Sequence, residues 1–338
     1  MTCFDAMQQA QKILLLDLGF LGDTVHVLPA AEQIRAAFPE AQLDVMVAEH
    51  ITSLLQLTPW VDHALGYPRF PKGPKWYQDL GRIRSLRRSR YDAVINLNGS
   101  DRSSLLTGLS GAAVRLGRER EDKPPAFWGR CFTHTAYAAY GKQPLYRQRC
   151  EVLQASGFPV REPRFDITIP QAVHEKVFGE LAGLDSFIHL SPFATLDYKE
   201  LPLAQLVTLI SQLQHLLPVV LSCAPNEREQ GKLEELLKAL PQPPAKVFPG
   251  HFNLIEFAAL IQASRLHLGA DSGAVHVALM TGCPTVSWFR EYDGAVEWAP
   301  EGQEHFVAYG QASDEGLKDV SVDELVSATE RLLQTTDG

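Results

Sequence analysis

Short apolar segments alternate with longer helical stretches along almost the whole chain, and this alternation limits the possible folds more than any other feature. The predicted strands are residues 13–16, 43–47, 64–67, 93–97 and 113–116, then 187–190, 219–222, 246–248, 266–268 and 285–288. Helical stretches such as 76–88, 203–216 and 254–263 lie between them. Strands that alternate with helices form parallel sheets covered by helices on both faces. The sequence therefore predicts an α/β fold with doubly wound sheets.

The length of the chain predicts two domains. Its 338 residues exceed what one hydrophobic core usually supports, and a hydrophobic content of 45% is sufficient for two cores. The segment 157–164, rich in proline and charge, is the best linker candidate. We predict Rossmann-like domains over residues 1–160 and 161–338. A last amphipathic helix, over about 322–333, is a candidate to pack back onto the first domain.

Two glycines and a carboxylate follow the first predicted strand. Gly19, Gly22 and Asp23 stand where the strand should turn into a helix. Ligands of open α/β sheets bind at the carboxyl ends of strands, and glycines there allow a sharp turn and a close approach. Asp23 is therefore a candidate ligand-facing carboxylate, with helix N-capping as the alternative interpretation. Pro29 indicates either a kink or a late start of the following helix.

A second segment of the same kind follows the predicted strand 266–268. Asp271 and Ser272 come first, and the amides of Ser272, Gly273 and Ala274 would be unpaired donors at the start of the next helix. Such a helix start suits a phosphate or a diphosphate. The alternatives are simple capping for Asp271 and Ser272, and a buried structural imidazole for the histidine at position 276.

Both segments match recurring patterns of one protein family. The first carries G-x-x-G-D-x-x-H-x-x-P, formed by Gly19, Gly22, Asp23, His26 and Pro29. The second carries D-[ST]-G-x-x-H-x-A, formed by Asp271, Ser272, Gly273, His276 and Ala278. A third match is the strand end 188–194, with Lys199 three residues before Pro202. With these patterns in this order, the chain resembles glycosyltransferase family 9, the ADP-heptose:lipopolysaccharide heptosyltransferases.

Two segments depart from the pattern of that family. Leu201 stands where the family commonly has Trp, and the run Trp-Phe-Arg-Glu at 288–291 replaces a frequent F-G-P-T run. The catalytic positions are unchanged. The exact donor sugar and the contacts of the donor loop are left open by these differences.

The resemblance implies the GT-B architecture, in which two Rossmann-like doubly wound domains face each other across a cleft. It implies an inverting, metal-independent transfer of heptose from ADP-heptose, a co-substrate, to a sugar hydroxyl of the lipopolysaccharide inner core, with no cofactor. In that reaction Asp23 accepts the proton of the acceptor hydroxyl and Lys199 supplies positive charge to the leaving ADP. The donor-binding candidates on the second domain are Ser191, Thr195, Glu227, Asp271, Ser272, Gly273, Ala274 and His276.

Charge is distributed unevenly between the two halves. Residues 1–161 hold 20 Lys and Arg against 15 Asp and Glu, whereas residues 162–338 hold 11 against 25. A basic half of a chain can bind nucleic acid, an anionic membrane surface or a phosphorylated acceptor. The acidic charge of the other half argues against nucleic acid. We interpret the basic cluster as a landing surface for the lipid A-core acceptor, with a solvated helix face as the alternative for any single arginine. The acceptor-binding candidates of the first domain are Gly22, His26, Arg69, Lys72, Arg118 and Arg120.

The chain lacks both an apolar run of roughly 18 residues and a signal-peptide pattern. We expect a cytoplasmic protein that is peripheral on the cytoplasmic face of the inner membrane. The five cysteines have no C-x-x-C spacing, so no metal site is predicted. The alternatives are a transferase with another nucleotide sugar, a GT-B sugar-nucleotide epimerase, and a silent sugar-nucleotide binder. The sequence identifies neither the accepting sugar nor the oligomeric state.

Overall fold

A computed structural model describes residues 1–69 and 75–335 of the protein. The chain forms two compact units, Met1–Thr168 and Ile169–Gly338. Each unit contains one six-stranded parallel sheet with helices on its faces. The α/β class predicted from the alternation of strands and helices is confirmed.

The first unit is built around strands β1 to β6. These are β1 (Lys12–Leu16), β2 (Gln42–Ala48), β3 (His63–Tyr67), β4 (Ala93–Asn96), β5 (Val114–Arg118) and β6 (His134–Ala136). Its helices are α1 (Cys3–Ala6), α2 (Leu21–Ala37), α3 (Thr52–Leu55), α4 (Asp79–Ser89), α5 (Asp101–Leu109), α6 (Trp128–Cys131) and α7 (Leu145–Ala155). The strand order is β3-β2-β1-β4-β5-β6, and all pairs are parallel.

The second unit repeats this topology. Its strands are β7 (Ile188–Ser191), β8 (Val219–Cys223), β9 (Lys246–Pro249), β10 (Leu266–Ala270), β11 (Thr285–Arg290) and β12 (His305–Gly310). Its helices are α8 (Gln171–Leu181), α9 (Leu203–Leu213), α10 (Glu227–Ala239), α11 (Leu254–Ala263), α12 (Gly273–Thr281) and α13 (Val322–Thr335). The order β9-β8-β7-β10-β11-β12 gives both sheets the same 3-2-1-4-5-6 arrangement.

Three details differ from the elements predicted from sequence. Strands β6 and β12 are edge strands that the sequence prediction missed. Strand β6 has only three residues, His-Thr-Ala, whereas β12, His-Phe-Val-Ala-Tyr-Gly, has an apolar centre that was not assigned to a strand. Helix α2 begins at Leu21, so the prediction of a late start after Pro29 was wrong. Pro29 lies inside this helix and is buried there.

The boundary between the units lies at Thr168, eight residues after the predicted one. The predicted linker is held on the first unit by a buried carboxylate: the guanidinium groups of Arg161 and Arg164 lie 3.1 and 3.0 Å from Oε1 of Glu32. The N–H of Thr168 donates to the carbonyl of Leu57 at 2.7 Å. A buried carboxylate must be paired, and Arg161 and Arg164 are the partners of Glu32. Because of these ion pairs, this segment stays packed on the first unit.

Helix α13 belongs to the second unit. Its apolar face, formed by Leu325, Ala328 and Leu332, is part of the same core as the buried strands β7 and β10. The spacing of three and four residues places these side chains on one side of the helix. This face is therefore used within the second unit. No helix within the described residues is long and apolar enough to cross a membrane.

Candidate functional site

Three of the predicted site residues, Asp23, Ser191 and Asp271, lie where the strand order of their sheet reverses. In the first sheet this point is between β1 and β4, and in the second it is between β7 and β10. Ligands of doubly wound sheets bind at the carboxyl ends of strands at such a crossover. Asp23 follows β1, and Ser191 and Asp271 end or follow β7 and β10. The topology thus brings the predicted residues of each unit to the ligand-binding edge of its own sheet.

Asp23 is the third residue of helix α2 and not its N-cap. Its Oδ2 accepts a hydrogen bond from the N–H of Phe20, the N-cap residue, at 2.7 Å. Asp23 is therefore not the N-cap, but one of its carboxylate oxygens does accept an amide hydrogen bond at the helix start, as in a capping box. The other oxygen, Oδ1, lies 3.3 Å from Nη2 of Arg149, and the side chain is 17% exposed. A fixed carboxylate that still reaches solvent is suited to accept a proton from a ligand.

Gly19 makes room for this carboxylate. A Cβ atom on Gly19 would lie 2.1 Å from both Cβ and Cγ of Asp23, closer than any two such atoms can approach. The steric requirement explains why a glycine precedes the aspartate by four residues in the motif. Gly22 is buried in the first turn of α2, so its contribution to a ligand site is limited to the backbone.

Arg149 of helix α7 is the residue that holds Asp23, and sequence reasoning missed it. Its side chain is 2% exposed, and its Nη2 lies 2.5 Å from Oδ2 of the fully buried Asp17. Its Nη1 also donates to the carbonyl of Asp23. Oδ1 of Asp17 accepts the N–H of Gly19 at 2.8 Å. One buried guanidinium therefore ties together two carboxylates and the turn between them.

Asp17 has an altered pKa in this cluster. Burial raises the pKa of the Asp17 carboxyl to about 6, since a charge is costly to remove from water. The guanidinium of Arg149 opposes this rise, and the nearby charge of Asp23 adds to it. The signals in the sequence were weak: Asp17 directly follows an apolar strand, and Arg149 occupies the position on α7 four residues after the buried Leu145 and four before the buried Leu153.

His26 is buried in the first unit and packs against helix α7. It is fully buried, and its Nδ1 accepts the backbone N–H of Tyr146 at 3.2 Å. The two rings are stacked with centroids 5.7 Å apart. Because Tyr146 lies on α7, His26 fixes the helix that carries Arg149. These contacts favour a structural role for His26, and its assignment to acceptor binding stays a prediction.

The predicted basic acceptor residues separate into two groups. Arg69 lies beside the Asp23 turn, with its guanidinium carbon 4.5 Å from the centroid of the Phe20 ring. Arg118 is 5% exposed and stacks on the Tyr140 ring at 3.6 Å, so it is packed among protein groups. Arg120 is held by two carboxylates, each 2.6 Å away, from Asp101 and Asp122. The charge pattern found these arginines but could not reveal their internal partners. Lys72 lies outside the described residues.

Lys199 and Asp271 form the centre of the candidate site in the second unit. Nζ of Lys199 lies 2.6 Å from Oδ2 of Asp271, and the aspartate is 7% exposed. Helix α12 starts two residues later, and the side chain of its N-cap, Ser272, makes no capping hydrogen bond. The first amides of a helix have no partner within the helix and carry partial positive charge. A lysine and a helix start at the same sheet edge can bind an anionic group.

The remaining predicted donor residues differ in their exposure. Ser191 is buried at the end of β7, whereas Thr195 and Glu227 are exposed on the following loop and at the start of α10. Ala274 is buried in the first turn of α12. His276 is 3% exposed, and its ring packs edge-on against Trp298 with centroids 5.8 Å apart. This environment favours the buried structural imidazole for His276, and a role in donor binding stays a prediction.

The loop that carries Lys199 is fastened by an ionic cluster that the sequence did not reveal. The buried carboxylate of Glu200 accepts a hydrogen bond from the backbone N–H of Ala194 at 2.9 Å. It also forms ion pairs with Arg228 at 2.7 Å and with Lys232 at 2.6 Å. Arg228 also donates to the carbonyl of Ala194 at 2.7 Å. Both ends of the loop are therefore fixed to helix α10.

A buried chain of polar side chains ends at Ser191. Nδ1 of His189 lies 2.9 Å from Nδ1 of His267, its neighbour across β7 and β10. Nε2 of His189 lies 2.9 Å from Oγ of Ser222, which lies 2.8 Å from Oγ of Ser191. Burial lowers the pKa of His267 to about 3 and the pKa of His189 well below its usual value, so both rings are neutral at pH 7.

Comparison with known proteins identifies the family of the chain. A family model described as glycosyltransferase family 9 (heptosyltransferase) matches residues 81–309, more than half of the chain. Lipopolysaccharide heptosyltransferase 3 of Escherichia coli K12 is 24% identical over 331 residues, which are 92% of this chain and 95% of the relative.

Solved structures show the same fold. A glycosyl transferase family 9 protein from Veillonella parvula DSM 2008 superposes with a TM-score of 0.83 at 18% identity, over 96% of this chain and 97% of that one. The Escherichia coli heptosyltransferase WaaC, solved with ADP, superposes with a TM-score of 0.75 at 17% identity, over 95% and 99%. The predicted GT-B class is confirmed by these matches.

Proposed function

Because the chain belongs to glycosyltransferase family 9, we propose that it transfers heptose from ADP-heptose to a sugar hydroxyl of the lipopolysaccharide inner core. Relatives named as lipopolysaccharide heptosyltransferases support this choice of substrates. The observation that carries the proposal is the set of charged groups at the two points where the strand order reverses. One presents a fixed, partly exposed carboxylate, Asp23, and the other presents a lysine and a helix start, Lys199 and α12.

The carboxylate of Asp23 acts on the acceptor. It removes the proton from the attacking hydroxyl while that oxygen forms a bond to the anomeric carbon of the heptose. The bond from this carbon to the diphosphate oxygen breaks, and ADP leaves with the electron pair. A single displacement of this kind inverts the anomeric configuration. The hydrogen bonds from Phe20 and Arg149 orient the carboxylate, and such positioning is a main source of rate.

Lys199 and the first amides of α12 act on the donor. They bind the diphosphate and stabilise the negative charge that develops on the leaving ADP, which is work that a metal ion performs in other transferases. The cluster around Glu200 holds the loop of Lys199 in place, so this charge is positioned before the donor binds.

An exposed basic helix supports a location at the membrane. Arg84, Arg87, Arg88 and Arg90, on or directly after α4, are all exposed. Basic residues near an anionic membrane each contribute about 1 kcal/mol to binding. We therefore propose that the protein is cytoplasmic and peripheral on the inner membrane. Co-sedimentation with vesicles containing anionic lipid, which should weaken when these arginines are replaced by Gln, tests this part.

Transfer assays test the reaction. The protein is incubated with ADP-heptose and with lipopolysaccharide acceptors truncated after Kdo, after the first heptose or after the second. Transfer to one of these acceptors is expected, and Asp23→Asn should abolish it while ADP binding stays nearly unchanged. An arm without acceptor detects isomerisation of the donor. Turnover of a different nucleotide sugar alone, or full transfer by Asp23→Asn, would contradict the proposal.

A further inference from the structure

Arg290, at the end of β11, has an unusual environment. Its guanidinium carbon lies 4.6 Å from the ring centroid of Tyr292 and 5.4 Å from that of Tyr198. Its Nε is buried and has no hydrogen-bond partner within residues 1–69 and 75–335. The two rings hold the guanidinium from their faces, an arrangement that leaves its hydrogen-bonding edge unused. This arginine stands in the segment that departs from the usual family pattern.

The sheet places Arg290 at the same edge as Lys199 and Asp271. Strand β11 is the direct neighbour of β10, and the N–H of Asp271 donates to the carbonyl of Trp288 at 3.0 Å, two residues before Arg290. Tyr198, one of the two rings, directly precedes Lys199. The arginine and the lysine therefore share a tyrosine as a common neighbour.

The pKa of the second ring is consistent with this placement. Burial raises the pKa of Tyr292 to about 12, the charge of Asp271 adds to the rise, and Arg290 opposes it. The ring thus lies within electrostatic range of both Asp271 and Arg290.

Arg290 differs from the other cations around this edge in its lack of a carboxylate partner. Lys199 is paired with Asp271, while Arg228 and Lys232 are paired with Glu200. Among the described residues, the side chain of Arg290 makes no ion pair and no hydrogen bond. A partly buried cation without a counter-charge is unfavourable, and an incoming anion relieves that cost. The unpaired charge therefore favours an anionic ligand at this position.

We propose that Arg290 binds a diphosphate oxygen of the nucleotide-sugar donor, held for this contact between Tyr198 and Tyr292. This inference rests on the proposed function, which supplies the diphosphate. The planar fork of arginine fits phosphate oxygens with two parallel hydrogen bonds. Since the charge of Lys199 is partly neutralised by Asp271, Arg290 supplies the uncompensated positive charge of the site. It thereby distinguishes a diphosphate from a monophosphate.

Calorimetric titration with ADP, AMP and adenosine tests the proposal. Arg290→Gln should weaken ADP binding by about 10- to 100-fold, which is the range for a charge-assisted hydrogen bond. AMP should lose less, and adenosine should be unaffected. Arg290→Lys, which keeps the charge without the fork, should be intermediate. The matched control is Arg331→Gln, since Arg331 also lies over a ring, that of Phe306 at 5.8 Å, but on helix α13.

Each other outcome has a definite meaning. Unchanged ADP affinity in both Arg290 variants overturns the inference, and a raised KM for the lipopolysaccharide acceptor alone would assign the arginine to the acceptor instead. An equal loss for ADP and adenosine shows a structural role and also overturns it. Failure of the unmodified protein to bind ADP rejects the proposed function itself, and this inference with it.

Discussion

Replacement of Arg149 by methionine should destabilise the first unit strongly. The substitution keeps most of the apolar stem but removes a guanidinium that is 2% exposed and lies 2.5 Å from Asp17 and 3.3 Å from Asp23. Breaking a buried ion pair by removing one partner costs about 3–5 kcal/mol, because the remaining charge is left uncompensated. Since a domain is typically stable by about 5–15 kcal/mol, the Arg149→Met protein should be folded but marginal.

The loss of folding stability in Arg149→Met should also depend on pH. The folded-state pKa of Asp17 is already raised to about 6, so its contribution to stability is fully present below the unfolded pKa near 4 and is lost as the pH rises through 6. Loss of the guanidinium removes the interaction that opposes this rise, and the folded-state pKa increases further. The stability difference between the unmodified protein and the variant should therefore grow from pH 5 to pH 8, by at most about 1.4 kcal/mol per pH unit.

Urea unfolding at pH 5, 6.5 and 8 measures both effects. The double variant Asp17→Asn with Arg149→Met provides the control, since it removes the stranded carboxylate together with its partner. It should recover more than about 1 kcal/mol relative to Arg149→Met at pH 8 and should show a weaker pH dependence. A single variant that loses less than about 1 kcal/mol, or a double variant that is no more stable than the single one, would refute the account of this cluster.

Two further predictions concern glycine packing and acid stability. Gly19→Ala should displace the Asp23 carboxylate and reduce kcat for transfer by about 100-fold, the scale expected for a misplacement of about 1 Å, while Gly81→Ala, where nothing lies within 4 Å, should leave kcat unchanged. Equal rates for the two variants would contradict the steric argument. Burial lowers the pKa of His189 and His267, so below pH 6.5 the unfolded chain binds protons that the folded protein does not. Stability should fall with decreasing pH by up to about 1.4 kcal/mol per unit for each ring, and a constant free energy of unfolding between pH 7 and 5.5 would contradict this.

The features that could be predicted from the sequence are local ones. The apolar run of β1 and the glycine-rich turn after it are adjacent in the chain, so the strand, the turn and the position of Asp23 after the carboxyl end of β1 follow from one short segment. The same holds for β10 and the start of α12. At such points local propensity and the tertiary fold agree, and reading the pattern is sufficient.

The features that could not be predicted depend on contacts between distant segments. Arg149 meets Asp23 across 126 positions of sequence, and His189 meets His267 across 78. Each of these histidines stands between two apolar residues of a strand, but only the register of β7 against β10 makes them neighbours. Charge counting likewise located Arg118 without its partners, because the Tyr140 ring lies on a different segment. The sequence shows which side chains are present, but it does not show which of them are in contact.

The net charge of each chain segment does not indicate which charged groups lie at its crossover. Residues 1–161 carry more basic than acidic groups, yet the turn after β1 holds two carboxylates, Asp17 and Asp23, which share the buried guanidinium of Arg149. Residues 162–338 are strongly acidic, yet their crossover presents Lys199 and the start of α12 with one carboxylate, Asp271. A hydroxyl acceptor needs a base and a diphosphate donor needs positive charge, so each local polarity suits the substrate proposed for its unit. The charged groups that suit the proposed reaction are therefore a few side chains at the ends of strands, which the net charge of each segment does not reveal.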